Sequence, residues 1–221
     1  ALSMIGRTEG GPVAPPAMVG DLGGGGMMLA FGIVCALLEA RTSGRGQVVD
    51  AAITDGAALL TSIVCDLKAL GLWKNERQAN MLDGGSHFYD TYECADGKWI
   101  SIAALEPQFY TLLLEKLGIT DPKFQRQREP AAWPVLKRQI SDIFRTQPSA
   151  HWCALLEGTD VCFAPVLTLE EAARHPHNSA RGTFFERDGV LQPSPAPRFS
   201  RTVTDRPGPA PFIGEHDDEL M

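Results

Sequence analysis

Residues 19–41 constrain this chain more than any other stretch. One carboxylate, Asp21, stands before four glycines, Gly23 to Gly26. An apolar run from Met27 to Leu38 follows, with no charge until Glu39 and Arg41. A run of that length and character needs apolar partners on all sides. The pattern predicts a helix over 24–41, closed by Thr42-Ser43-Gly44, with Gly44 suited to the position past a helix C-terminus. Two readings of its N-terminal side stay open. In one, it is a buried helix with a flexible approach. In the other, the glycines let a ligand come close to the backbone, and free N–H groups at the helix start face developing negative charge beside Asp21.

Too few apolar elements precede this helix to cover it. The first residues, Ala1-Leu2-Ser3-Met4-Ile5-Gly6, read like the inside of a domain. An N-terminal portion is therefore expected to be missing. The run 27–38 is too short to span a bilayer and no signal peptide is visible, so no membrane is expected as a partner. A net charge of -7 without a basic run argues against nucleic acid. Five cysteines, Cys35, Cys65, Cys94, Cys153 and Cys162, show no CxxC spacing. Reduced thiols in a cytoplasmic protein is the simple reading.

Beyond the helix, Gln47–Ile53 reads as a short strand. Thr54 or Asp55 caps a helix to about Leu70, and residues 73–85 read as an irregular linker. The pattern then changes to period two. Phe88–Glu93 and Lys98–Ala103 predict two strands joined by Ala95-Asp96-Gly97. Helices are expected over Pro107–Leu117, Pro134–Arg145, Ser149–Leu156 and Leu169–Arg174, with a strand at Val161–Leu167. From Pro176 the chain is rich in Pro, Gly and Arg. The expected organisation is α/β, in four parts. Residues 1–53 belong to a large α/β domain, 54–86 form a linker helix and loop, 87–178 form a small α+β domain, and 179–221 return to pack on the large domain.

Several chemistries find no support. No Lys-Ser or Lys-Thr follows the glycines as in a P-loop, no GxGxxG follows a strand, and no GxSxG is present. His175-Pro176-His177 is the one close histidine pair, and its spacing matches no strong metal motif, so no metal site is expected. Two carboxylates remain. Asp21 sits at the glycines. Glu106 lies between a strand end and a helix start, where it reads either as a helix-capping acid or as an acid presented at a sheet edge. Asp83-Gly84-Gly85 reads as an ordinary turn.

Four segments together resemble the family III CoA-transferase (CaiB/BaiF) superfamily. They are Val19-Gly20-Asp21-Leu22 with its glycines, Ser43-Gly44-Arg45-Gly46-Gln47-Val48-Val49-Asp50, the stretch from Ala79-Asn80-Met81-Leu82-Asp83 through Phe88-Tyr89 to Leu105-Glu106-Pro107, and the tail Pro195-Ala196-Pro197 with Gly214-Glu215-His216-Asp217. The third looks specific to the racemase branch of that family. The resemblance implies a Rossmann-like large domain, a small α+β domain, and subunits interlocked as rings in a homodimer. The active site would lie between one subunit's large domain and its partner's small domain.

It further implies an acyl-CoA substrate, with coenzyme A part of that substrate and no separate cofactor. Asp21 and Glu106 match the catalytic acids. Gly23, Gly24, Met81, Leu82 and Tyr89 are candidate substrate-binding residues, although core packing explains Met81, Leu82 and Tyr89 equally well. In the family a histidine upstream of Asp21 pairs with the glutamate, and much of the CoA surface lies there too. None of His87, His151, His175, His177 or His216 occupies that place. Ser86-His87 stands where a small residue and proline are expected, and His87 reads as polar surface in preference to a substitute base. The implied activity is interconversion of (R)- and (S)-2-methylacyl-CoA thioesters through an enolate. The alternatives are a CoA-transferase whose Asp21 forms a mixed anhydride, and an inactive truncated relative.

Overall fold

The computed structural model describes residues 1–220 and divides the chain into two compact units, Ala1–Val166 and Leu167–Met221. In the first unit the glycine stretch is helical from well before residue 24. Residues Met18–Met27 wind as a π-helix, with the Leu22 amide donating to the Ala17 carbonyl at 3.0 Å, and run directly into α1, Met28–Ser43. Asp21 therefore lies inside the first turn, not ahead of the helix. The continuous helix is 26 residues long, enough by length and composition to cross a membrane. Counting only the apolar run 27–38 missed this, because the glycines extend the helix instead of ending the count.

The glycines do structural service. A Cβ on Gly24 would sit 2.8 Å from the Ala57 nitrogen, and one on Gly56 would sit 1.9 Å from the Gly24 carbonyl oxygen. The π-helical segment thus crosses α2, Ile53–Leu59, backbone against backbone. Gly24, Gly25 and Gly56 are the buried residues of the whole stretch 1–79. α1 itself buries none of its residues and exposes Phe31, Val34, Leu37 and Leu38.

The helix expected to run to Leu70 breaks at Leu60–Thr61 into α2 and α3, Ser62–Ala69. Residues 47–52 form no regular element and pair with no strand among the described residues, so the expected strand is absent. Its β-branched residues favour extended backbone, yet no neighbouring edge supplies the ladder hydrogen bonds that make a strand.

The core of this unit lies between residues 88 and 161. β1, Tyr89–Glu93, pairs antiparallel with β2, Trp99–Ala103, and β2 pairs antiparallel with β3, Phe163–Pro165. In register, Tyr89 faces Ala103 and Tyr92 faces Ile100. Alternation puts Tyr92, Ile100 and Ile102 on the buried face. Over that face lie α4 (Pro107–Lys116), α5 (Trp133–Phe144) and α6 (Ser149–Leu156). α5 buries Trp133, Leu136, Ile140 and Phe144, a three-four-four spacing that forms one apolar stripe. Asp96 accepts from the Ser149 backbone N–H at 3.1 Å and from its hydroxyl at 2.7 Å, tying the β1–β2 turn to the start of α6.

The second unit has α7 (Leu169–Arg174), opened by a full capping box between Thr168 and Glu171, then α8 (Pro176–Arg181). A hairpin follows, β4 (Phe184–Arg187) with β5 (Val190–Pro193). Its turn residues Asp188 and Gly189 have φ of 52° and 77°, the pair of positive values an Asp-Gly hairpin turn uses. Arg206 stacks over Phe185 with its guanidinium carbon 5.0 Å from the ring centre.

Candidate active site

Glu106 is set by the end of β2 and the start of α4. Pro107 occupies the first helical position, where a missing N–H costs nothing. Glu106 is the N-cap residue with extended backbone (φ -76°, ψ 144°), and its carbonyl accepts from the Tyr110 amide at 3.0 Å. Its carboxylate makes no capping hydrogen bond and is exposed. The capping-acid reading is therefore set aside: the backbone is held and the side chain is free. Cys162 lies beside it. The Cys162 carbonyl accepts from the Ala103 amide at 2.9 Å, and Cys162 holds a positive φ of 54°. Burial, and then the Glu106 and Asp160 carboxylates, push its thiol up from the ordinary value.

Asp21 is exposed in the first turn of the π-helical segment. π-helical turns within a longer helix are local departures that recur at functional sites. No hydrogen bond or ion pair joins Asp21 to Glu106 among the described residues. Of the candidate substrate residues, Gly24 serves the helix crossing, while a Cβ at Gly23 would meet the Met18 carbonyl of its own π-helical segment at 2.9 Å and the Leu60 side chain at 3.3 Å.

The loop bearing Met81 and Leu82 is tightly built. Buried Asn80 donates through its side chain to the Lys74 and Glu76 carbonyls, both at 3.1 Å, and to Asp83 at 2.7 Å. Asp83 also accepts from the Asn80 and Gly85 amides, and the Ser86 hydroxyl donates to the Met81 carbonyl at 2.8 Å. Met81 and Tyr89 both pack partly on the core, while Leu82 is half-buried. Each of the first two also lines a different cleft. Tyr89 borders one of about 460 Å³ together with Arg7, Asp83, Thr91, Ser101 and Ala103. Met81 borders one of about 310 Å³ with Leu72, Trp73, Arg128 and Trp133. Arg7 closes the edge of the first cleft, its guanidinium 2.8 Å from both Asp90 oxygens, and Lys137 pairs with the same carboxylate.

His87, expected as polar surface, is fully buried. Phe88, Tyr110 and Phe124 pack edge-on around its ring. Burial and the nearby Lys137 charge hold it down at about 4, so it is a neutral core imidazole. Among the described residues no group of three or more His, Cys, Asp or Glu is placed to hold a metal ion. Sequence reasoning missed Cys162, Gln127 and Arg128, all of which bear on Glu106. No motif marks them; only the three-dimensional fold brings them to that turn.

Comparison with known proteins identifies the family. Residues 1–217 match the family model for CoA-transferase family III. The chain is 43% identical to the α-methylacyl-CoA racemase of Mus musculus, covering 100% of this chain and 58% of that protein. It is 42% identical to the α-methylacyl-CoA racemase of Homo sapiens, with the same coverage. The crystal structure of a CaiB/BaiF family protein from Brucella suis superposes with a TM-score of 0.77 at 21% identity, covering 99% of this chain and 58% of that one. The chain thus spans little more than half the length of the relatives it matches.

Proposed function

The chain belongs to CoA-transferase family III, and from that premise we propose that it carries the two catalytic carboxylates of an acyl-CoA racemase. The observation that carries this reading is the matched state of Asp21 and Glu106. Each is exposed, each lacks a hydrogen-bond or ion-pair partner among the described residues, and each sits on backbone fixed by its own helix start. The similarity to two racemases across the whole chain supports the same reading.

The reaction needs these residue types. Racemising a 2-methylacyl thioester removes the α-proton and returns one to the opposite face. The enolate between carries its charge on the thioester oxygen. An acid/base group is needed on each side of the α-carbon. Asp21 serves one face. N–H groups of the helix turn around it stabilise the oxyanion, an effect worth several kcal/mol. Glu106 serves the other face, paired with the histidine that the family places upstream of Asp21. That histidine and much of the CoA surface belong to the part of the family fold outside this chain.

In this reading the working unit is an interlocked homodimer, and Asp21 of one subunit faces Glu106 of the partner subunit. One feature supports it: among the described residues no hydrogen bond or ion pair joins the two carboxylates within one chain. The five free thiols fit a reducing compartment.

The test is a single-enantiomer 2-methylacyl-CoA offered with and without an acceptor acid. A racemase scrambles the α-centre and leaves the thioester intact. A CoA-transferase of the same family would instead let Asp21 attack the thioester carbonyl and expel CoA as thiolate. Hydroxylamine would then trap an aspartyl hydroxamate, and the α-centre would keep its configuration.

A further inference from the structure

Glu106 does not choose its own direction. The turn beneath it presents two carbonyls, Ala104 and Leu105, between the last ladder residue of β2 and the first residue of α4. Neither is used by a strand or by the helix. Gln127 is buried, and its side-chain nitrogen donates to both, at 3.2 Å each. Its own carbonyl accepts from the Trp133 indole at 2.7 Å, which anchors it to α5. Arg128 adds a second, charge-assisted donor, with Nη2 2.8 Å from the Leu105 carbonyl. Its other nitrogen, Nη1, lies 3.1 Å from the Met81 sulfur.

The Leu105 carbonyl belongs to the peptide unit whose nitrogen is that of Glu106. A donor on that oxygen fixes the plane of the peptide, and with it the direction in which the Glu106 side chain leaves the backbone. The Glu106 carbonyl is fixed on the other side by the Tyr110 amide. Met81, at the other end of the guanidinium, lines the neighbouring apolar cleft. One side chain therefore touches both the turn under the proposed acid and the loop next to a candidate acyl surface.

We infer that Arg128 is a positioning residue for Glu106, aiming the carboxylate through the Leu105 carbonyl and coupling its placement to Met81. The inference rests on the reading of Glu106 as an acid/base group. It predicts that Arg128 matters for turnover rather than for holding the CoA thioester.

The test is a double-mutant cycle in the enzyme that carries this chain, read as α-deuterium wash-in from D₂O into 2-methylacyl-CoA. Arg128→Ala should lower kcat roughly 10-fold or more, the scale of a misplaced reacting group, with KM changed by less than about two-fold. Arg128→Lys keeps a charged donor and should recover most of that loss. Arg128 is exposed, so a folded variant is expected, and thermal melting checks it. On a Glu106→Gln background, Arg128→Ala should add no further loss. Equal, additive losses on both backgrounds would overturn the positioning role while leaving Glu106 as an acid/base group. Full activity in Arg128→Ala would do the same. Wash-in undiminished in Glu106→Gln alone would mean that the reading of Glu106 has failed, and the inference with it.

Discussion

The His87 Nε2 atom lies 2.7 Å from the Tyr110 hydroxyl oxygen, and that hydroxyl donates onward to the Phe124 carbonyl at 2.9 Å. The tyrosine has one hydrogen, and the carbonyl can only accept. Nε2 must therefore carry the imidazole proton and donate. That leaves Nδ1 as a buried acceptor with no protein partner. A second proton on this ring would create a buried cation among aromatic rings, close to Lys137.

This arrangement has a pH signature. The unfolded histidine titrates at its ordinary value of 6.5 and the folded one at about 4. Between those values the unfolded chain binds the extra proton, so stability falls as pH drops through 6.5 towards 4. A separation of 6.5 minus 4 corresponds to an order of 3 kcal/mol. Urea unfolding at pH 7 and pH 4.5 should show the loss. His87→Gln, which keeps a donor for Tyr110 but cannot titrate here, should flatten the difference between the two pH values. Equal pH slopes in both proteins would mean that His87 is not the group responsible.

The placement of Cys162 gives a local probe of the Glu106 carboxylate. Burial is the main influence raising its thiol, and the Glu106 charge adds to it. Removing that charge in Glu106→Gln should lower the thiol pKa and raise the thiolate fraction at pH 8. Iodoacetamide labelling followed by mass spectrometry should report faster modification of Cys162, with exposed Cys35 and Cys65 as internal references. An unchanged ratio would mean that the carboxylate points away from the thiol.

The helix crossing is the third checkable feature. Gly56→Ala would force a Cβ into the Gly24 carbonyl, an overpacking that costs about 1–3 kcal/mol or more where backbone must move. Gly46→Ala meets nothing within 4 Å and serves as the control. Denaturant melts should separate the two. Equal stability of both variants would contradict the backbone-to-backbone crossing of the π-helical segment and α2.

Much of the architecture between residues 88 and 165 was legible because its signals are local. Period-two alternation on both sides of Ala95-Asp96-Gly97 places β1 and β2 within a residue of where they stand. Pro107 marks the start of α4, and Ser149–Leu156 is helical as expected. The misses have physical causes. The helix expected to begin at Gly24 begins at Met18, because glycine disfavours helix in isolation while Gly24 is required where two backbones touch. Asp188-Gly189 is a strong hairpin signal, hidden in a stretch read as a Pro-rich tail. Asp21 and Glu106 stood out through motif and resemblance. That Gln127 and Arg128 grip the turn under Glu106 depends on contacts across 22 or more residues of separation, which no local pattern records.

Proton transfer by Asp21 is tested directly by α-deuterium wash-in. The enzyme carrying this chain, given an unlabelled 2-methylacyl-CoA in D₂O, should incorporate one α-deuterium while the thioester stays whole. Asp21→Asn keeps the size of the side chain but cannot exchange a proton. Wash-in should fall by about 10²-fold or more, the scale of a lost acid/base group, with substrate binding little changed. Wash-in that survives Asp21→Asn at the original rate would remove Asp21 from the chemistry and contradict the account.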